Sequence, residues 1–120
     1  MKYVGSKARL AKYIAPIIQS YIDKNNIEKY WEPEVGGANL ITHISCKERY
    51  GSDINPYLIA LLKQMQIDTS IFPQTVSEAE YKAVQTSRND YPDWYVGFIG
   101  FGSFGGKFLV DTQEVSKVMV

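Results

Sequence analysis

The stretch that most constrains this chain is KYWEPEVGGANLITHI, residues 29–44, followed at 51–62 by GSDINPYLIALL. An extended aromatic opening runs into Gly36 and Gly37 and then into an apolar run; a second extended run ends at Asp53. The order predicts strand, glycine turn, helix, strand, helix, and so a βαβ unit with a parallel sheet. The physical device is specific. Glycines let backbone come close to a ligand, a helix N-terminus offers unpaired N–H groups, and an acid closing the next strand can accept from a ribose. Asp53 lies about 16 positions after Gly37, near the spacing such an acid needs. A plainer alternative stands beside it: the glycines make a tight turn and Asp53 caps the next helix.

Helical periodicity marks the flanks. SKARLAKYIAPIIQSYIDK, residues 6–24, reads as an amphipathic helix with Leu10, Ile14, Ile17, Ile18 and Tyr21 at helical spacing. Ser6 suits its N-cap, Pro16 predicts a kink or restart, and Asn25 and Asn26 end it. ANLITHIS predicts the helix after the turn, with Leu40, Ile41 and Ile44 on one side. NPYLIALLKQMQ predicts another, capped by Asn55, with Pro56 in its first turn and Leu58, Leu61, Leu62 and Met65 inward. VSEAEYKAVQTSRN predicts a further helix, capped by Ser77 with Glu80 placed for a capping box. The aromatic, glycine-rich run from Tyr91 to Phe108 takes no firm assignment. No repeat and no linker divides the chain, so one domain over 1–120 is expected.

Composition narrows the class. The chain has 120 residues, zero formal net charge and 45% hydrophobic residues, which is globular and does not favour nucleic-acid binding by bulk charge alone. One cysteine, Cys46, excludes an internal disulfide and suits a reducing, cytoplasmic setting. No apolar run approaches the ~20 residues of a membrane span, and MKYVGSKARL lacks the apolar segment of a signal peptide, so no membrane partner is expected.

Three motifs in this order and spacing, KYVGSKARL, EPEVGGANL and GSDINPYLIALLK, resemble the N-terminal part of a DNA adenine N6-methyltransferase of the phage and Gram-positive type. YVGFIGFGSFGGKF is similar to a segment near that family's target-recognition region, and the likeness runs from residue 2 to about 108. The resemblance implies an α/β fold, a truncated Rossmann-like methyltransferase domain with a short parallel sheet and flanking helices. It also implies S-adenosylmethionine as cofactor and DNA as a partner. It places Tyr3 and Lys7 beside the cofactor, Glu32, Gly36 and Gly37 on the cofactor loop, and Asp53 as the ribose acid. By their residue types alone, Tyr3 reads as a packed aromatic and Lys7 as a solvated helix charge.

Two departures bear on function. The family carries an aromatic residue where this chain has Glu34; an acid there must stay hydrated or find a cation, Lys7 being one candidate, and otherwise weakens cofactor binding. The second is decisive for chemistry. The family's Asp-Pro-Pro-Tyr motif, which holds the flipped adenine, does not occur in the 120 residues. DYPDW, residues 90–94, has the wrong order and position to replace it. The expected function is therefore a methyltransferase-like protein without catalysis that retains weak S-adenosylmethionine binding. One alternative is a repurposed binding protein of a phage or mobile element that inhibits a host defence nuclease, such as a CRISPR effector. Another is an active small methyltransferase.

The likeness stops after Phe108. Codons chosen for FLVDTQEVSKVMV can be moved by one nucleotide to read Phe-Gly-Gly-Tyr-Ala-Arg, a family-like continuation, so residues 109–120 are expected to be a frameshift-derived tail. Two parallel strands alone leave their edges and one face uncovered, so either the remaining helices pack around them or a second copy pairs with the exposed edge; a homodimer is expected. The remaining residues take bland roles. His43 reads as a surface or packed histidine rather than a metal ligand, and Cys46 as a buried thiol. Tyr91, Trp94, Tyr95 and Phe98 read as core, with Phe101 to Lys107 as surface; Lys2, Lys7, Arg9 and Lys12 make a modest basic cluster.

Overall fold

The computed structural model describes residues 6–102 and a strand at 116–119. Tyr3, Lys2 and the segment 103–115, which holds Phe104 and Phe108, lie outside the described residues. The described elements run α1 (Ala8–Lys24), β1 (Lys29–Pro33), a 3-10 turn (Ile41–His43), β2 (Glu48–Asp53), α2 (Pro56–Ile67), α3 (Glu78–Thr86), a 3-10 turn (Arg88–Asp90), α4 (Asp93–Gly102) and β3 (Ser116–Met119).

β1 and β2 pair in parallel, with Lys29 opposite Glu48 and Pro33 opposite Ser52. The expected parallel pairing holds, but the βαβ unit does not form as expected: the crossover is a single 3-10 turn rather than a helix over ANLITHIS. The reason is local. Glu34, Gly36 and Ala38 all take positive φ, at 59°, 55° and 61°, so the chain is still turning where the helix was to start. The apolar residues keep their roles nonetheless: Leu40, Ile41 and Ile44 are buried. The Arg49 guanidinium donates to the carbonyls of Ile41 and Ile44 at 3.2 and 2.8 Å, replacing bonds a longer helix would have made.

A third strand was not legible in the sequence. β3 pairs antiparallel to β2, with Tyr50 opposite Met119 and Asp53 opposite Ser116. The order β1-β2-β3 therefore fills the outer edge of β2 from the chain's own C-terminal segment. Of the two edges expected to be open, β1 is the one left without a strand partner among the described residues.

α1 is continuous across Pro16, so no restart occurs. Lys7 occupies its N-cap position, and Ser6 instead accepts from the Ala8 N–H at 3.2 Å. Asn25 and Asn26 end it as expected, Asn26 at φ 51°. Its packing is inverted relative to side-chain size. Ala11, Ala15 and Ile22 are buried against Leu40 and Ile44, while Leu10, Ile17 and Tyr21 stay exposed.

α2 follows its signals closely. Asn55 Oδ1 accepts from the N–H groups of Tyr57 and Leu58, and Pro56 opens the helix. Leu58, Leu61 and Leu62 are buried, together with Ile59, but Met65 is 44% exposed and does not face inward. Ser77 caps α3 by accepting from the Glu80 N–H at 3.1 Å. The Glu80 carboxylate turns to the Tyr95 hydroxyl. Within the unassigned aromatic run, Asp93–Gly102 forms α4, whose Val96, Ile99 and Phe101 are buried against α2, so Phe101 is core rather than surface. Tyr91, Tyr95 and Phe98 are half-buried against the same cluster, and Phe98 stacks on Phe72 at 4.9 Å. Among the described residues no helix is long and apolar enough to cross a membrane.

Candidate functional site

The ends of β1 and β2, where two parallel strands point the same way, hold the residues singled out above. After Pro33 the chain breaks register: Val35 N–H donates to Ser52 O at 2.8 Å, and Glu34 is looped out. A non-glycine residue in the left-handed region costs roughly 1–2 kcal/mol, so Glu34 and Ala38 hold this loop against a local preference. Of the two glycines Gly36 is the one at positive φ. Gly51 matters for another reason: a Cβ there would lie 2.7 Å from Val35 Cγ2, so its absence lets the loop close onto β2.

Asp53 is the tie between loop and sheet. It is 5% exposed; Oδ2 accepts from the Gly36 N–H at 3.2 Å and Oδ1 from the Asn55 N–H at 3.0 Å. The capping of α2 belongs to Asn55, not Asp53, so that alternative role for the acid is removed. The two halves of the motif, 17 residues apart in sequence, meet in one hydrogen bond.

A second group forms on the α1 side of β1. Glu32 is 4% exposed, a costly place for a carboxylate unless it is paired. Lys7 Nζ lies 3.2 Å from Glu32 Oε1 and also donates to the carbonyl of Glu34. The cation expected to answer Glu34 thus answers Glu32, and it holds Glu34 by its backbone; the Glu34 residue itself is exposed. Lys7 is accordingly not a solvated helix charge. The Tyr30 hydroxyl donates to Glu32 Oε2 at 3.3 Å. Burial, and then the charge and hydrogen bond of Glu32, push the Tyr30 hydroxyl up to about 12. Tyr95 is likewise raised to about 12, by burial first and then by its bond to Glu80.

Those two phenols give a pH prediction. Their folded-state values exceed the ordinary value of 10, so their contribution to stability is full below pH 10 and is lost between about pH 10 and 12. Urea midpoints measured across that window should fall for the native chain and fall less for Tyr30→Phe. Equal slopes would remove Tyr30 from the account.

Lys7, Glu32, Gly36, Gly37 and Asp53 therefore gather at one end of the parallel strand pair. Tyr3 lies outside the described residues. Trp31 and Ser52 were not singled out from sequence; Trp31 Nε1 donates to Ser52 Oγ at 3.0 Å on the face of the sheet away from α1. Nothing in the sequence announces that pair, because it depends on the register. His43 is exposed, and Cys46 is half-buried rather than buried, with Sγ 3.4 Å from Ile27 O. Among the described residues no group of three His, Cys, Asp or Glu could hold a metal ion.

A family model for D12 class N6 adenine-specific DNA methyltransferase matches residues 3–98. The chain belongs to that family. The matched region takes in the Lys7–Glu32 pair, the loop at 34–38 and the Asp53 tie. It also covers α2, α3 and the start of α4. No curated protein matches this D12-class chain, and no solved structure does.

The residues fit a nucleoside cofactor in chemical type. A glycine at positive φ leaves bare backbone at the loop, and a buried acid closes the neighbouring strand beside it. They fit it with one reservation of charge: Glu34 adds an exposed carboxylate to the loop where the family resemblance implies an aromatic ring.

Proposed function

We propose that this D12-class chain binds S-adenosylmethionine weakly at the loop 34–38 and Asp53 and does not by itself transfer the methyl group. The observation that supports the first half is the Gly36–Asp53 hydrogen bond, which sets the acid directly beside the glycine loop, the two parts that hold a ribose-bearing ligand in sites of this type. Asp53 would take the ribose, and the backbone at Gly36 and Gly37 would face the rest of the ligand. Lys7 holds the loop in place through Glu34 O and neutralises Glu32. S-adenosylmethionine supplies an electrophilic methyl carbon when bound.

The second half rests on what the residues lack. Methyl transfer to an adenine amino group needs that nitrogen held against the methyl carbon, and orientation of this kind accounts for about 7–11 kcal/mol of such barriers. No Asp-Pro-Pro-Tyr sequence is present in the 120 residues to hold it. Incubation with tritiated S-adenosylmethionine and adenine-containing DNA tests this. The expected result is no incorporation above a no-protein control. Incorporation at an enzyme-like rate would overturn the second half and leave the first intact.

A further inference from the structure

Two features left uncovered among the described residues meet on one side of the molecule. The first is the free edge of β1. Glu48 N–H donates to Glu28 O at 2.9 Å, and the ladder alternates, so Tyr30 and Glu32 turn their backbone groups toward β2. Lys29, Trp31 and Pro33 then turn theirs outward. Proline has no N–H, which closes the edge beyond Trp31 and leaves a short pairing segment from Lys29 to Trp31. Both residues are open to solvent, Trp31 at 61%.

The second is the outer stripe of α1. Leu10, Tyr13, Ile17 and Tyr21 are 56%, 64%, 72% and 65% exposed. At 100° per residue they share an arc of about 80°, a continuous apolar seam about 16 Å long. Going round the helix, this seam is followed by the side of Ile14, Ile18 and Lys7, the last of which reaches Glu32 of β1, then by the alanine side against Leu40 and Ile44. Gln19 comes last, and it bonds both to and from the backbone of Ser45 in the connection to β2. The seam therefore emerges on the side of β1 opposite β2, above the open edge.

We infer that this surface is covered by a second copy of the same chain. Antiparallel pairing of β1 with β1 about Tyr30 sets Lys29 of each copy opposite Trp31 of the other. It makes four main-chain hydrogen bonds and asks nothing of Pro33. It places each Lys29 ammonium within reach of the facing indole, a cation–π pair on the sheet face away from α1. The same two-fold axis brings the α1 seams together, and at about 17 Å for five residues the strand matches the seam in length. The partner is self-complementary because each copy offers the same strand edge and the same helix stripe. The inference does not depend on cofactor binding.

Sedimentation equilibrium over a wide concentration range tests it, with Ile17→Glu and Trp31→Pro as variants. Ile17 is largely exposed and the Trp31 N–H points outward, so each variant should keep the helical signal of the native chain; Trp31→Pro also gives up the indole bond to Ser52, and both variants should melt lower where the native chain is dimeric. The native chain should approach twice its 13.6 kDa as concentration rises. Ile17→Glu should weaken the dimer by about 100-fold or more, since it buries a charge in each copy. Amide exchange at Trp31 should slow with concentration, a readout that survives if either variant fails to fold. A monomer up to about 1 mM, a dimer indifferent to both variants, or exchange at Trp31 independent of concentration would each overturn the inference.

Discussion

Replacing Gly97 by Ala should destabilise this chain by about 3 kcal/mol, a fall of about 10 °C in Tm for a domain of this size. Gly97 lies in α4 where that helix crosses the start of α2, and it is buried. A Cβ there would collide with the carbonyl oxygen of Tyr57 and sit 3.2 Å from Leu61 Cβ. The carbonyl is backbone in the first turn of a helix and cannot rotate away. Relief requires the two helices to separate, which opens the packing of Val96 and Ile99 on Leu58 and Leu62. Alanine's better helix propensity returns about 1 kcal/mol, so the net loss measures the crossing itself. Gly102→Ala is the matched control, since a Cβ there meets nothing within 4 Å and should leave the chain unchanged or slightly more stable. Equal melting temperatures for the two variants would show that α4 does not approach α2 as described.

Lys7→Met should cost about 2–3 kcal/mol, and the reason is Glu32 rather than Lys7. The Glu32 carboxylate, with 5% side-chain exposure, is met by one cation and one phenol. Removing the cation leaves that charge buried, and it also releases the carbonyl of Glu34, the anchor of the left-handed loop. The double variant Lys7→Met, Glu32→Gln should recover most of the loss, because a neutral amide no longer needs the ammonium. Thermal melts of the two single variants and the double variant, taken as a cycle, check this. Additive losses would mean that the ion pair contributes nothing of its own.

The parts of the fold that the sequence made legible are those set by near neighbours. Asn55 and Ser77 cap helices a few residues away, and their signals are read directly from the chain. The β1–turn–β2–Asp53 path follows from alternating run, glycine and acid at fixed spacing, and the parallel pairing follows from the connection. What stayed hidden depends on distant partners. The Lys7–Glu32 pair spans 25 residues, so the charge Lys7 answers could not be read from its own neighbourhood. β3 pairs with β2 across more than sixty residues.

Two features of the packing were not legible for one physical reason: each depends on shape at a contact between elements. In α1 the close approach to Leu40 and Ile44 is made by Ala11 and Ala15, whose small side chains let the helix settle, and the larger residues are turned outward. In α4 the glycines that made the run look irregular are what allow the helix to touch α2. Shape at the contact decided both, and shape belongs to pairs of elements rather than to one. At the site, Gly36 and Asp53 were legible from spacing, whereas the left-handed Glu34 and Ala38 were not, because neither residue type prefers that conformation.

The most direct test of the central claim is calorimetric titration of the native chain with S-adenosylmethionine, repeated with Asp53→Asn. The account predicts saturable, weak binding that is lost in the variant, where an amide replaces the acceptor between Gly36 and the ligand. A folded native chain that gives no saturable heat up to about 10 mM ligand, or an Asp53→Asn chain that binds as well as the native one, would contradict it.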